Sequence, residues 1–336
     1  MSERFLVVCQ AWVGDVVMAG SLLKFLRQRH PDAEIDVLAP EFHGQVVRRM
    51  PEVTNFIPSP GGHGKLALRE QIRLGRALRR RRYTRAIVLP RSIKSALVPF
   101  IAGAKIRTGF LGEQRRVLLN DIREGRDSMS TADGFIALGL EPGDAPPAAP
   151  PEPQLRVDTG NQARLRERLA LDPAQPVAAL APGAEFGPAK QWPVEHFAET
   201  ARALARSGRK VIVLGSPKET ETGAAVAAAA PGVMNLCGDS SLEDAIDLLA
   251  MAQVAVTNDS GLMHIAAAVD THVVALYGST SPEKAYALTS RKDVFWLALP
   301  CSPCRQRTCP LGHLDCLRSI HPSDVIAAAL AAADAS

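Results

Sequence analysis

Short apolar runs and longer helical patterns alternate along this chain, and the alternation occurs in two separate series. In the first half we predict strands at 5–10, 34–40, 55–60 and 85–90. In the second half we predict strands at 176–183, 210–216, 233–238, 254–260 and 272–279. Strands that alternate with helices form parallel sheets covered by helices. The sequence therefore predicts an α/β protein with two doubly wound units in tandem.

A segment rich in proline and alanine, EPGDAPPAAPPEPQ at 141–154, separates the two series. Such a composition forms neither a helix nor a central strand, so we assign the segment as a linker. A chain of 336 residues is long enough for two domains with their own cores. We predict an N-terminal domain over 1–155 and a C-terminal domain over 156–336, with the terminal helix packing back toward the N-terminal domain. Tandem units of this kind face one another across a cleft, where ligands bind.

The composition is that of a globular protein, with 46% hydrophobic and 22% charged residues. These values exclude a largely disordered chain. No apolar run reaches the roughly 18 residues that span a bilayer, and the first residues lack the basic and apolar regions of a signal peptide. We therefore expect a cytoplasmic protein.

Positive charge is concentrated in the first half of the chain. Residues 1–155 contain 23 Lys and Arg against 16 Asp and Glu, whereas the remainder contains 16 against 19. Much of the excess lies at 65–85, where apolar residues recur at helical spacing and arginines cover the other faces. This helix is either an ordinary solvated face or a surface that attracts an anionic substrate or membrane leaflet. We do not expect a nucleic acid partner, because no aromatic residues interleave with the arginines to stack on bases.

An acidic residue stands where the first strand should lead into a helix, in the sequence VGDVVMA at 13–19. Phosphate-binding junctions of this type usually carry several glycines and no acid. Here Gly14 is followed by Asp15, whose carboxylate the helix dipole would stabilise. Asp15 is either an ordinary acid of a first helical turn or a general base that takes a proton from a substrate hydroxyl.

The loop after the first strand of the second series, LAPGAEFGPAKQWP at 180–193, is a candidate phosphate site. A glycine-containing loop offers backbone N–H groups, and Lys190 adds a mobile ammonium group. We predict that Lys190 neutralises a leaving phosphate, and the alternative is an ordinary surface lysine.

A third candidate is VTNDSGLMHIAAA at 256–268, where a strand ends and a helix begins at Ser260 and Gly261. The free N–H groups of a helix start bind anions, and glycine permits close approach. Asp259 lies where it can hold sugar hydroxyls. His264 returns to the same helix face four residues after Ser260, and the alternative is a histidine of the core.

Four of the six cysteines fall together in CSPCRQRTCPLGHLDC, between a strand predicted over VFWLALP and the terminal helix. Clustered cysteines in a cytoplasmic chain favour a metal over disulfides, and this spacing suits one tetrahedral zinc or iron site, with His313 as a substitute ligand. Disulfides formed on oxidation and free thiols are the alternatives. The predicted ligands are Cys301, Cys304, Cys309 and Cys316.

Eight motifs together resemble the ADP-heptose:lipopolysaccharide heptosyltransferases, and the resemblance runs over nearly the whole chain. They are VGDVVMA, PEVTNFIP, GHGKL, RSIKSALVPF, RTGFLGE, PGAEFGPAKQWP, GSPKE and VTNDSGLMHIAAA. The resemblance implies a glycosyltransferase B fold, with two Rossmann-like domains facing across a cleft. It also implies transfer of heptose from ADP-heptose, with inversion, to the first heptose of the lipopolysaccharide inner core.

The resemblance implies roles for individual residues. Asp15 matches the general base on the acceptor hydroxyl, Lys190 the lysine that binds the pyrophosphate and Asp259 the acid beside the donor sugar. Glu219 matches a glutamate near the nucleoside ribose. The predicted donor-binding set is Gly14, Ala184, Glu185, Lys190, Ser216, Glu219, Asp259, Ser260, Gly261 and His264. The predicted acceptor-binding set is Lys65, Arg69, Lys94 and Arg107.

The implied partners are ADP-heptose and heptosylated Kdo2-lipid A, at the inner face of the inner membrane. No cofactor is expected for catalysis, and zinc or iron at the cysteines would be structural.

Three other classes share parts of this pattern. A nicotinamide-dependent oxidoreductase would carry G-x-G-x-x-G after a first strand, and neither half does. Other nucleotide-sugar enzymes with the same fold, a paralogous heptosyltransferase or an epimerase, are the closer alternatives. A periplasmic binding protein also has two α/β lobes, but it would need a signal peptide.

Overall fold

The computed structural model describes residues 3–60 and 67–335 of the chain. The chain divides into two compact units, Met1–Gln154 and Leu155–Ser336. Each unit has its own sheet. Lys65, predicted to bind the acceptor, lies outside the described residues.

The N-terminal unit is a six-stranded parallel sheet in the order β3-β2-β1-β4-β5-β6. Its strands are β1 (Arg4–Val8), β2 (Glu34–Ala39), β3 (Asn55–Pro58), β4 (Arg85–Val88), β5 (Ile106–Phe110) and β6 (Asp121–Arg123). Its helices are α1 (Val13–Arg29), α2 (Gly44–Val47), α3 (Leu68–Leu78), α4 (Ile93–Ile101) and α5 (Thr131–Gly139).

The C-terminal unit repeats this arrangement, with the strand order β12-β11-β10-β7-β8-β9. Its strands are β7 (Val177–Ala181), β8 (Lys210–Val213), β9 (Met234–Asn235), β10 (Ala252–Asn258), β11 (His272–Leu276) and β12 (Lys292–Phe295). Its helices are α6 (Thr159–Arg168), α7 (Val194–Arg206), α8 (Thr220–Ala227), α9 (Leu242–Met251), α10 (Gly261–Ala268), α11 (Asp315–Arg318) and α12 (Pro322–Asp334).

Both units have the Rossmann strand order, so the predicted doubly wound fold is confirmed. The order reverses between β1 and β4 in one sheet and between β7 and β10 in the other. Ligands of such sheets bind at these points, beyond the carboxyl ends of the strands. The central strands are continuous apolar runs because both faces of a parallel sheet are covered, and all five residues of β7 are buried.

The sequence prediction missed two strands and placed a third too late. β5 contains Arg107 and Gly109, and β6 has three residues, of which two are charged. Both lack an apolar run, and pairing such as Thr108 with Asp121 aligns them in the sheet. β12 ends at Phe295, whereas we predicted a strand over VFWLALP, because pairing with β11 begins at Lys292.

The terminal helix α12 packs within the C-terminal unit, against α7, β10 and β11. The indole N–H of Trp192 donates to the Ile320 carbonyl at 3.0 Å, just before this helix. That α12 also packs toward the N-terminal unit stays a prediction. None of the helices in the described part of the chain is long and apolar enough to cross a bilayer.

Candidate active site

Asp15 lies in the first turn of α1, directly beyond the carboxyl end of β1, and is half-buried. The negative charge of Asp15 affects the pKa of two neighbouring side chains, Cys9 and Arg126. Burial raises the pKa of the Cys9 thiol to about 12, and the Asp15 charge adds to this rise, so Cys9 is a neutral thiol at pH 7. Burial lowers the pKa of Arg126, and Asp15 opposes this shift. The structure therefore gives Asp15 a nearby cation that the sequence analysis missed.

Two predicted acceptor residues belong to the same edge of this sheet. Lys94 is in the first turn of α4, which follows the neighbouring strand β4. Arg69 is exposed in the first turn of α3, which follows β3. Since parallel strands end at one edge, these helix starts and Asp15 share the ligand-binding side of the N-terminal unit.

Arg107, the remaining predicted acceptor residue, does not lie at the edge of the sheet that carries Lys94 and Arg69. It is the second residue of β5, toward the amino end of the sheet. Its guanidinium donates at 2.7 Å to the carbonyl oxygens of both Leu118 and Ala104, and it lies over the Phe100 ring. Burial lowers its pKa. These contacts explain Arg107 as a structural residue that ties β5 to its neighbours, so its predicted acceptor role has no geometric support.

Lys190 and Asp259 form a buried ion pair at the point where the strand order of the C-terminal sheet reverses. Lys190 ends a 3₁₀ turn in the loop after β7, and Asp259 follows β10. The Lys190 ammonium lies 2.6 Å from Oδ2 of Asp259, and the side chains are 13% and 5% exposed. The hydroxyl of Thr280 donates to the same oxygen at 2.5 Å. Lys190 is therefore not a surface lysine.

His264 lies in α10 and is 4% exposed. Burial lowers its pKa to about 4, while the charge of Asp259 raises it and that of Lys190 lowers it. The imidazole is thus neutral at pH 7 and offers one N–H donor beside the ion pair. His264 is both a core residue and a neighbour of the candidate site, so the two interpretations do not exclude one another.

The start of α10 leaves its amides open to a ligand. Ser260, at the N-cap, makes no side-chain capping bond, and its hydroxyl lies 3.3 Å from that of Thr257. The first helical N–H groups, starting at Gly261, therefore receive no hydrogen bond from the N-cap side chain, and such groups can bind an anion.

Asn258 was missed by the sequence analysis, although a polar residue at the end of a buried strand is the signal that could have found it. Its side-chain oxygen accepts from the Trp192 amide at 2.9 Å, and its side-chain nitrogen donates to the Pro182 carbonyl at 2.7 Å. These bonds fix both ends of the loop that carries Lys190.

Glu219 lies against the start of that loop. A Cβ atom on Gly183 would lie 2.4 Å from the Glu219 carboxyl group, so a larger residue there would displace this side chain. Glu219 accepts from the Ser216 amide at 2.5 Å in a capping box. Ala184 is buried, whereas Glu185 is exposed and pairs with Lys218 at 2.5 Å. These predicted donor residues are therefore adjacent, and the ribose contact of Glu219 stays a prediction.

The four clustered cysteines are free thiols close to one another. Burial raises the pKa of Cys316 to about 11, and Cys301, Cys304 and Cys309 contribute to the rise. Among residues 3–60 and 67–335, however, no three His, Cys, Asp or Glu side chains are arranged to hold a metal ion. His313 instead accepts from the Asp315 amide at 3.0 Å. Structural zinc or iron at the cysteines stays a prediction, which elemental analysis would test.

The model of glycosyltransferase family 9 (heptosyltransferase) matches residues 71–315. The chain belongs to this family. It is 41% identical over 335 residues to lipopolysaccharide heptosyltransferase 2 of Salmonella typhimurium, covering 96% of each chain, and equally to that of Escherichia coli K12. The structure of the E. coli ADP-heptose lps heptosyltransferase II matches with a TM-score of 0.87, 38% identity and 99% coverage of both chains.

Family membership confirms the resemblance drawn from the motifs. This family 9 member is a glycosyltransferase with the glycosyltransferase B fold. The oxidoreductase and binding-protein alternatives are therefore excluded.

Proposed function

We propose that the chain transfers L-glycero-D-manno-heptose from ADP-heptose to the first heptose of the lipopolysaccharide inner core, with inversion. The observation that carries this proposal is the buried pair of Lys190 and Asp259 at the start of α10. The names of the relatives reported above give the donor and acceptor classes.

The donor site suits a nucleotide diphosphate that leaves with its negative charge. The Lys190 ammonium and the first amides of α10 supply positive charge and oriented dipoles where that charge develops. Neutral His264 adds an uncharged N–H donor. Asp259 accepts hydrogen bonds, so it can hold the hydroxyl groups of the donor sugar.

The acceptor step needs one base. The acceptor oxygen attacks the anomeric carbon and loses its proton to the Asp15 carboxylate, while the bond from that carbon to the ADP oxygen breaks. ADP is a good leaving group once its charge is neutralised, so no proton donor of the kind used in glycoside hydrolysis is needed. Because Lys190 and α10 provide that charge, we propose no metal cofactor for catalysis.

The acceptor, heptosylated Kdo2-lipid A, is anionic. Lys94 and Arg69 of the predicted set, together with Arg126, supply positive charge on the ligand-binding side of the N-terminal unit. Arg107 is omitted from this proposal because carbonyl groups hold its guanidinium.

We also propose that α3 brings the protein to the anionic cytoplasmic face of the inner membrane. Not all arginines in this region are available for such contact. Arg81 lies 3.8 Å from Glu34 and 3.9 Å from Asp36, and Arg79 donates to the Ile101 carbonyl at 2.8 Å. Apart from Arg79, the arginines exposed along α3 and just beyond it are Arg69, Arg73, Arg76, Arg80 and Arg82.

The test is incubation with ADP-heptose and lipopolysaccharide truncated after its first heptose. We expect ADP release that depends on both substrates, together with a gain of one heptose by the acceptor. Lipopolysaccharide without its first heptose is the control for acceptor choice. Conversion of the nucleotide sugar without transfer would contradict the proposal and favour an epimerase.

A further inference from the structure

The cysteine loop, residues 301–316, is joined through its backbone to the phosphate loop, residues 182–193. The Ala189 amide donates to the Arg307 carbonyl at 3.0 Å, and the Ser279 amide donates to the Ala189 carbonyl at 3.2 Å. The Arg305 amide donates to the Ser279 carbonyl at 2.7 Å. Three segments of the C-terminal unit are thus connected by hydrogen bonds at the loop that carries Lys190.

Gly187 shows that this contact depends on the sequence of the phosphate loop. Its φ is 148°, a value that side chains rarely tolerate, and a Cβ atom there would lie 2.5 Å from the Arg307 carbonyl oxygen. Any other residue would push the two loops apart. The backbone of Arg307 is therefore held against the phosphate loop.

The side chain of Arg307 lies beside the cation already assigned to the donor site. Its guanidinium carbon is 5.4 Å from the centre of the Phe186 ring, and the Lys190 ammonium is 5.1 Å from the centre of the same ring. Lys190 is paired with Asp259. In the described part of the chain no carboxylate pairs with Arg307, whose side chain is exposed to solvent.

Both cations lie within 5.4 Å of the centre of one ring, so they belong to the same small region of the surface. An anion that reaches both cations would be attracted by both. The diphosphate proposed to bind at Lys190 is such an anion. The planar guanidinium group of Arg307 can donate two parallel hydrogen bonds to its phosphate oxygens.

We propose that Arg307 is a donor-binding residue, delivered by the cysteine loop, whose guanidinium contacts the diphosphate together with Lys190. This inference rests on the proposed function. It gives the cysteine loop a role in donor binding that requires no metal ion, because the backbone bonds of Ala189 and Arg305 locate the loop.

The test is titration calorimetry of the whole protein with ADP and with adenosine. Arg307→Gln should weaken ADP binding about 10-fold, the value of one charge-assisted hydrogen bond, and leave adenosine binding unchanged. Arg305→Gln is the matched control, since it removes the same charge from the same loop, and it should change ADP affinity less than about twofold. In turnover, Arg307→Gln should raise the KM for ADP-heptose and not that for the acceptor.

Three outcomes would overturn the inference. These are unchanged ADP affinity in Arg307→Gln, an equal loss in Arg305→Gln, and a parallel loss of adenosine binding, which would indicate a displaced phosphate loop. Failure of the wild type to bind ADP would instead contradict the proposed function itself.

Discussion

Replacing Lys190 by methionine removes the cation of a buried ion pair while keeping most of the side-chain volume. The Asp259 carboxylate, 5% exposed, would retain the Thr280 hydroxyl as a donor but lose the ammonium group at 2.6 Å. Removing one partner of a buried pair costs roughly 3 kcal/mol, because the other charge stays buried without compensation. Lys190→Met should therefore lower the free energy of unfolding by about that amount.

Combining Lys190→Met with Asp259→Asn separates the cost of the unpaired charge from the loss of contacts. The double variant removes both charges, so it should be more stable than Lys190→Met alone, with a coupling energy of roughly 1–3 kcal/mol. Urea unfolding, followed by circular dichroism, measures each free energy. All three variants should lose transfer activity, since both groups belong to the proposed donor site.

Two results would refute this reasoning. If Lys190→Met were as stable as the wild type, the pair would not be buried in solution. If the two single losses simply added in the double variant, Lys190 and Asp259 would not interact.

Three further predictions concern other parts of the molecule. Asp15→Asn should lower the turnover rate at least ~10²-fold with unchanged ADP affinity, and near-normal turnover would remove Asp15 as the base. The free energy of unfolding should fall by roughly 3 kcal/mol between pH 6.5 and 4, because His264 takes up a proton in the unfolded chain but stays neutral in the folded protein. His264→Asn should lack this contribution to the pH dependence of the free energy of unfolding. Replacing Arg69, Arg73, Arg76 and Arg80 by glutamine should weaken binding to anionic vesicles at low salt, and high salt should abolish the difference between wild type and variant. Equal binding of the two proteins at low salt would show that these arginines are an ordinary solvated face.

The meeting of Lys190 and Asp259 could be predicted from the sequence because both residues follow strands with strong apolar runs. The strands β7 and β10 are recognisable, and a parallel sheet brings their carboxyl ends to one edge. The loop with Lys190 and the turn with Asp259 must then converge, although 69 positions separate them. The chemistry of this site is thus largely a consequence of the fold class.

The acceptor side was less predictable because its contacts are made by residues outside such runs. Arg107 looked like a free cation in the sequence, but its guanidinium donates to the carbonyl groups of Ala104, before β5, and Leu118, after it. Arg85 is similar, since it is buried and donates to the Leu138 and Leu140 carbonyl groups at the end of α5. Arginines that complete backbone hydrogen bonding cannot be distinguished from ligand-binding arginines by composition or spacing.

Two adjacent residues at the end of β10 hold the phosphate loop in different ways. Asn258, the last residue of the strand, bonds to the backbone of the loop, whereas Asp259, in the bend that follows, pairs with the Lys190 side chain of the same loop. Asn258 offers both a donor and an acceptor, which the Pro182 carbonyl and the Trp192 amide require, whereas an aspartate there would set a carboxylate against a carbonyl oxygen. An asparagine in place of Asp259 could not pair with Lys190 as an anion does. The order of the two residues therefore determines both the shape of the loop and the charge at its end.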